Sequence, residues 1–178
     1  SAIMTELLSK GGTIMATRLE AEKAEAVRKD LPEAIYYKDA KILAAGSGLW
    51  GKEDEEAAKL RRQKTVAVVS AGTADIPIAE EAAVTAELLG NEVHRVYDVG
   101  VAGIHRVFSK LDIIRSCNVA IVVAGMEGAL ASVIGGLVGL PGIAVPTSVG
   151  YGGNLGGRTT FRSNVNSCAQ GSGGGCFD

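Results

Sequence analysis

Thr65-Val-Ala-Val-Val-Ser70 runs directly into Ala71-Gly-Thr-Ala-Asp75, and this stretch decides the fold. An unbroken β-branched apolar run is what a strand covered on both faces requires. The small polar residues after it suit a tight turn into a helix, expected over 76–89 and ended by Gly90. The same alternation repeats downstream. Further strands are expected at 92–97, 119–123 and 142–145, with helices at about 104–116 and 127–138 between them. Strands and helices alternating over such short connections imply a parallel sheet with right-handed crossovers. The fold class is therefore α/β, a three-layer parallel-sheet domain.

Upstream the pattern is weaker. A short strand at 12–17, a helix at 20–29 stopped by Pro32 and one or two strands within 34–45 make a small N-terminal α+β segment, 1–46. Residues 47–64 contain Trp50 and Lys52-Glu-Asp-Glu-Glu56, and read as a charged linker or exposed helix. The main domain then occupies 65–178. Beyond Thr147 the periodicity fades. Residues 150–157 read as a flexible glycine-rich loop, and 158–178 as a polar, glycine-rich tail, atypical or truncated.

Composition supports this division and excludes several functions. Of 178 residues, 47% are hydrophobic but only 4% aromatic, so the core must be built of Val, Ile, Leu and Ala, with little to stack on bases. A net charge of −2 provides no footprint for nucleic acid or an anionic membrane. No apolar run reaches the roughly 18 residues of a membrane span, and the first ten residues do not resemble a signal peptide. Cys117, Cys168 and Cys176 are odd in number and lack ligand spacing, which argues against disulfides and structural zinc. A soluble cytoplasmic protein is expected.

Ligands of open parallel sheets sit beyond the carboxyl ends of the strands, so the loops there carry the candidate residues. After the first strand, Ser70, Gly72, Thr73 and Asp75 could cradle a phosphate at a helix N-terminus, or Asp75 could be an ordinary cap. Neither a G-x-G-x-x-G nor a G-x-x-x-x-G-K-[ST] pattern is present, which disfavours a standard dinucleotide or P-loop site. After the second strand, Tyr97-Asp-Val-Gly-Val-Ala-Gly-Ile-His-Arg106 brings Asp98, and puts His105 and Arg106 at a helix start, where cations invite an anionic partner. His94, within the strand, reads as structural. After the third strand, Ala124-Gly-Met-Glu-Gly-Ala-Leu130 puts Glu127 on the first turn of a helix, as a dipole partner or as a general base. Cys117 reads as packing, and Cys168, with polar neighbours, as a candidate reactive thiol.

These loops, with Val145-Pro-Thr-Ser-Val-Gly-Tyr-Gly152, Asn166-Ser-Cys-Ala169 and Ala16-Thr-Arg-Leu19, resemble the LarB family, pyridinium-3,5-biscarboxylic acid mononucleotide synthases of nickel-pincer nucleotide biosynthesis. The family is similar in fold to PurE, the aminoimidazole ribonucleotide carboxylase or mutase of purine synthesis, whose sheet is of the flavodoxin or Rossmann kind. The resemblance implies a carboxylase and hydrolase. Nicotinic acid adenine dinucleotide is carboxylated by CO2 or bicarbonate on its pyridinium ring, then cleaved at the phosphoanhydride to release AMP. It also implies a homo-octamer and no tightly bound cofactor, with Mg2+ on the substrate's phosphates as an option.

An electron-poor pyridinium ring cannot attack CO2 until a thiolate adds to it, whereas aminoimidazole needs no such help, so Cys168 favours the LarB-like reading. On the same resemblance Glu127 removes the ring proton or positions CO2, and Asp75 acts beside it. Ser70, Gly72, Thr73, Asp98, His105, Arg106, Gly125, Met126, Gly128 and Ser148 line the substrate pocket. The chain departs from the family at Ala74, where serine is usual, and in lacking an apolar helix over 157–165. The alternatives are a PurE-type carboxylase or mutase and a non-catalytic nucleotide-binding scaffold.

Overall fold

The computed structural model describes residues 2–11, 13–46, 56, 59, 63–148, 158–167, 169 and 172–173. Trp50, Cys168, Cys176 and the glycine-rich stretch 150–157 lie outside the described residues, as does most of the expected linker at 47–64.

A helix, α1 (Ala2–Ser9), precedes strand β1 (Thr13–Ala16), helix α2 (Ala21–Arg28), and strands β2 (Ile35–Tyr37) and β3 (Ile42–Gly46). The three strands form an antiparallel sheet in the order β1-β3-β2. Its central strand, with Ile42, Leu43, Ala44 and Ala45 all buried, has cores on both sides. Leu43 and Ala45 face Ala24 and Leu31, while Ile42 and Ala44 pack on Val84 and Leu88 of the following domain.

Strands β4 (Thr65–Ser70), β5 (Glu92–Val96), β6 (Val119–Ala124), β7 (Gly142–Pro146) and the two-residue β8 (Ser172–Gly173) form the second sheet. All pairings are parallel, in the order β5-β4-β6-β7-β8. Alternate residues of the apolar strands face opposite helix layers, as a pleat with period two demands. Val66, Val68 and Val123 pack on α3 (Ile76–Leu88) through Ala79 and Ala83. Ala67, Val69, Ala120 and Val122 pack on α4 (Ile104–Phe108), α5 (Leu111–Arg115) and α6 (Ala129–Leu137) through Val107, Ile114, Leu130 and Ile134. The three-layer α/β architecture expected from the alternating pattern is the one found.

Three local readings need correction. The helix expected over 104–116 is two, broken where Ser109 Oγ donates to the Arg106 carbonyl (2.8 Å) and Lys110 leaves helical geometry (φ −115°, ψ 0°). A serine hydroxyl bonded back into the ladder competes with helix continuation. The helix expected from 127 starts at Ala129, because Met126 (φ 54°) and Gly128 (φ 70°) take left-handed conformations that a helix cannot contain. The tail read as without periodicity holds a helix, α7 (Arg158–Val165), as well as β8. Its buried positions are Thr160 and Asn164, so its inward face is polar and escapes a search for apolar spacing.

Candidate active site

Strand order reverses at β4, whose chain continues to β5 on one side and then crosses to β6 on the other. A crevice opens at the carboxyl ends of the strands at such a switch point. Here it is a cleft of about 650 Å3, within the range of small-molecule sites. Its walls are Ala71, Gly72, Thr73, Ala74 and Asp75 after β4, Asp98, Gly100, Val101, Ala102 and Arg106 after β5, and Ala124, Gly125, Met126, Glu127, Ala129 and Leu130 after β6.

The first loop is held by Asp75. This residue is 6% exposed, its Oδ2 accepts from the Gly72 N–H (3.0 Å), and its Oδ1 accepts from Thr147 Oγ1 (2.8 Å). Thr147, fully buried beyond β7, ties two loops together across the end of β6. Asp75 lines the cleft with both oxygens engaged, which makes it a brace for the loop more than a proton carrier. Asp75 does stand at the N-cap of α3, as one reading of the sequence had it, but its side chain makes no cap bond into that helix and turns back to Gly72 instead.

The second loop packs against the first. A Cβ on Gly100 would lie 2.7 Å from the Ala71 carbonyl oxygen, so only glycine permits this approach. Ser70, fully buried under the floor, accepts from the Asp98 N–H (3.1 Å) and holds Asp98 in a left-handed conformation (φ 56°). Arg106 Nη1 then donates to Asp98 Oδ2 at 2.6 Å, both side chains remaining substantially exposed at 38% and 48%. Both residues of that pair line the cleft, with Nε and Nη2 of Arg106 packed against Gly103.

The third loop presents Glu127, exposed, between Met126 and Gly128. Glu127 precedes the N-cap Gly128 and is not on the helix's first turn, which revises the sequence expectation. Gly72, Thr73, Asp75, Asp98, Arg106, Gly125, Met126 and Glu127 therefore come together around one space. Ser70 and Gly128 support the loops without lining it, and Ser148, exposed after β7, is likewise off the cleft walls. His105 is also exposed and lines no part of the cleft; on its helix the neighbouring Arg106 takes the inward position. His94 lies on edge strand β5, 3.9 Å from Glu92.

Cys117 is buried, and its thiol is pushed up by that burial, as packing requires. The neighbours of Cys168 rest on α6: Ser132 Oγ donates to Ser167 Oγ (2.9 Å), and a Cβ on Gly135 would lie 2.7 Å from that of Ala169. Among the described residues no group of three His, Cys, Asp or Glu could hold a metal ion, and no helix is long and apolar enough to cross a membrane. Sequence reasoning missed Thr147 and Thr160, buried hydroxyls that brace the loops, because a lone threonine beyond a strand or on a polar helix carries no pattern.

Residues 1–47 match the LarB/PurE-like N-terminal domain. Over that stretch the chain is similar to LarB/PurE-like proteins. An uncharacterized protein of Methanocaldococcus jannaschii is 41% identical over 170 residues, covering 93% of this chain. The chain spans 63% of that relative's length.

Proposed function

We propose that this LarB/PurE-like chain is a carboxylase of a pyridinium nucleotide, taking nicotinic acid adenine dinucleotide and CO2 and releasing AMP by phosphoanhydride hydrolysis. The observation that carries the reading is the cleft at the sheet's switch point, where one exposed carboxylate, Glu127, and one incompletely paired guanidinium, Arg106, share a space of ligand size.

The chemistry assigns these groups distinct tasks. The Cys168 thiolate adds to a ring carbon, and its electron pair turns the cationic pyridinium into a neutral enamine. The enamine carbon attacks CO2, forming the C–C bond and restoring positive charge on the ring nitrogen. Glu127 takes the proton from the carboxylated carbon, and expulsion of the thiolate returns the aromatic ring. Water then cleaves the phosphoanhydride. Arg106 meets a phosphate oxygen, and the Thr73 hydroxyl with the neighbouring amides meets the ribose-phosphate. Asp75 holds that loop in place. Ser167 and Ala169, packed on the helix whose first turn lines the cleft, are consistent with this assignment.

Incubation of the chain with nicotinic acid adenine dinucleotide and isotopically labelled bicarbonate tests it, with mass spectrometry for AMP and a labelled dicarboxylated mononucleotide. Both products are expected from the natural chain and neither from Cys168→Ser. Absence of AMP above the Cys168→Ser control overturns the proposal. Turnover of aminoimidazole ribonucleotide that survives Cys168→Ser assigns the PurE-type reaction instead, and tight nucleotide binding without products assigns a scaffold.

A further inference from the structure

We infer that Thr160, on a helix that contributes no residue to the cleft walls, is a positioning residue for Glu127. The inference rests on the reading of Glu127 as the group that handles the ring proton.

Glu127 lies between two left-handed residues, Met126 (φ 54°) and Gly128 (φ 70°). For methionine that conformation costs about 1–2 kcal/mol, so the loop would relax by turning a peptide plane unless something held it. A hydrogen bond from the Gly128 N–H to the Gly125 carbonyl (3.0 Å) closes the turn from within. The external restraint is α7. Thr160, fully buried, donates its hydroxyl to the Met126 carbonyl at 2.6 Å. The same side chain closes the other flank of Glu127, where a Cβ on Gly128 would lie 2.6 Å from Thr160 Cγ2 and 3.1 Å from Asn164 Oδ1. One threonine thus holds the Met126 carbonyl by a hydrogen bond and packs against Gly128, while the carboxylate between them stays exposed on the cleft wall. Packing alone does not require this arrangement. Valine matches threonine in shape and would fill the same space, but only the hydroxyl reaches the Met126 carbonyl.

The test compares Thr160→Val and Thr160→Ser with the natural chain, by carboxylation kinetics and by hydrogen exchange of the amides at 125–130 and 65–70. Thr160→Val is expected to lower kcat on the order of 10- to 100-fold with KM for the dinucleotide nearly unchanged, the size of loss that a misplaced reacting group produces. The acid limb of its pH profile should shift. Thr160→Ser, which keeps the hydroxyl, should recover most of kcat. Exchange should quicken at 125–130 and stay as in the natural chain at 65–70. If the natural chain is active and Thr160→Val equals it in kcat and loop exchange, the inference is overturned. Equal quickening in the loop and the central strand also overturns it, since the role is then only structural. If the natural chain gives no carboxylation, the activity reading fails by itself. Exchange still decides the restraint: quickening confined to 125–130 supports it, and unchanged exchange overturns it.

Discussion

Arg95 and Arg106 sit at the two faces of one strand-loop unit, and their surroundings separate structural charge from available charge. Arg95 donates to Glu87 through both terminal nitrogens (2.6 and 3.0 Å) and to Glu80 through Nε (3.1 Å). Those bonds, that to Glu87 foremost, hold its guanidinium firmly in the charged form. Tyr97 beside it has its hydroxyl pushed up by burial and then by Glu80. Arg106 makes one such bond, to a half-exposed Asp98; its Nε and Nη2 pack against Gly103, and the residue lines the cleft. The acids divide in the same way. Asp75 is buried with both oxygens engaged, whereas Glu127 stands exposed at the end of a glycine-bounded turn. A charge fully paired within the fold serves stability, and one left partly unpaired at a concave surface is available to a ligand.

Substitutions can break this comparison. The largest effect is expected at the acids: Glu127→Gln should lower kcat for labelled carboxylation by about 100- to 10,000-fold, the range of general-base catalysis, and leave the unfolding midpoint unchanged. Asp75→Asn should instead lower stability by roughly 1–3 kcal/mol in urea titration, by removing a charged brace from a buried site. A Glu127→Gln chain with full activity would end the distinction.

Next come the arginines. Arg106→Met should raise KM for the dinucleotide about 10- to 100-fold, matching the roughly 1.5–3 kcal/mol of a charged hydrogen bond. Arg95→Met should leave KM alone and lower stability by about 1 kcal/mol, since its partners are only partly shielded from solvent. Equal KM values for the two variants would refute the contrast between paired and available charge. Thr147→Val sharpens it further. Removing the donor to Asp75 should cost about 1–3 kcal/mol of stability, with any loss of activity following from loop disorder and visible as faster hydrogen exchange at 71–75.

The smallest effect concerns the thiols. Burial raises the Cys117 pKa in the folded chain, so the folded state keeps its proton when the unfolded chain has lost it. The unfolded state then binds fewer protons, and this contribution to stability is complete below a pH of about 8.5 and declines above it. A shallow alkaline fall in the urea midpoint, and slow alkylation of Cys117 at neutral pH, are expected. Rapid labelling of Cys117 in the folded chain would contradict its assignment to the core.

How much of this was legible beforehand differs by region. The four long parallel strands and α3 follow from runs such as Thr65–Ser70 and Val119–Ala124, because a strand buried on both faces must be continuously apolar. The candidate loops follow too, since their place after those strands puts them at one end of the sheet. Helix α7 was not legible, because its buried positions are the polar Thr160 and Asn164, of which Thr160 bonds the neighbouring loop. The break at Ser109 and the late start of α6 depend on single hydrogen bonds and left-handed residues, below the resolution of periodicity.

By itself the sequence determined the layered parallel sheet, the end of it that carries chemistry, and the residue types gathered there. Periodicity and burial are nearly local properties, so the chain records them along its length. Tertiary structure decided which charges are free. Whether Asp75 or Glu127, Arg95 or Arg106, has its hydrogen bonds satisfied depends on partners as distant in sequence as Thr147 and as near as Asp98, and only the folded packing brings each to its place.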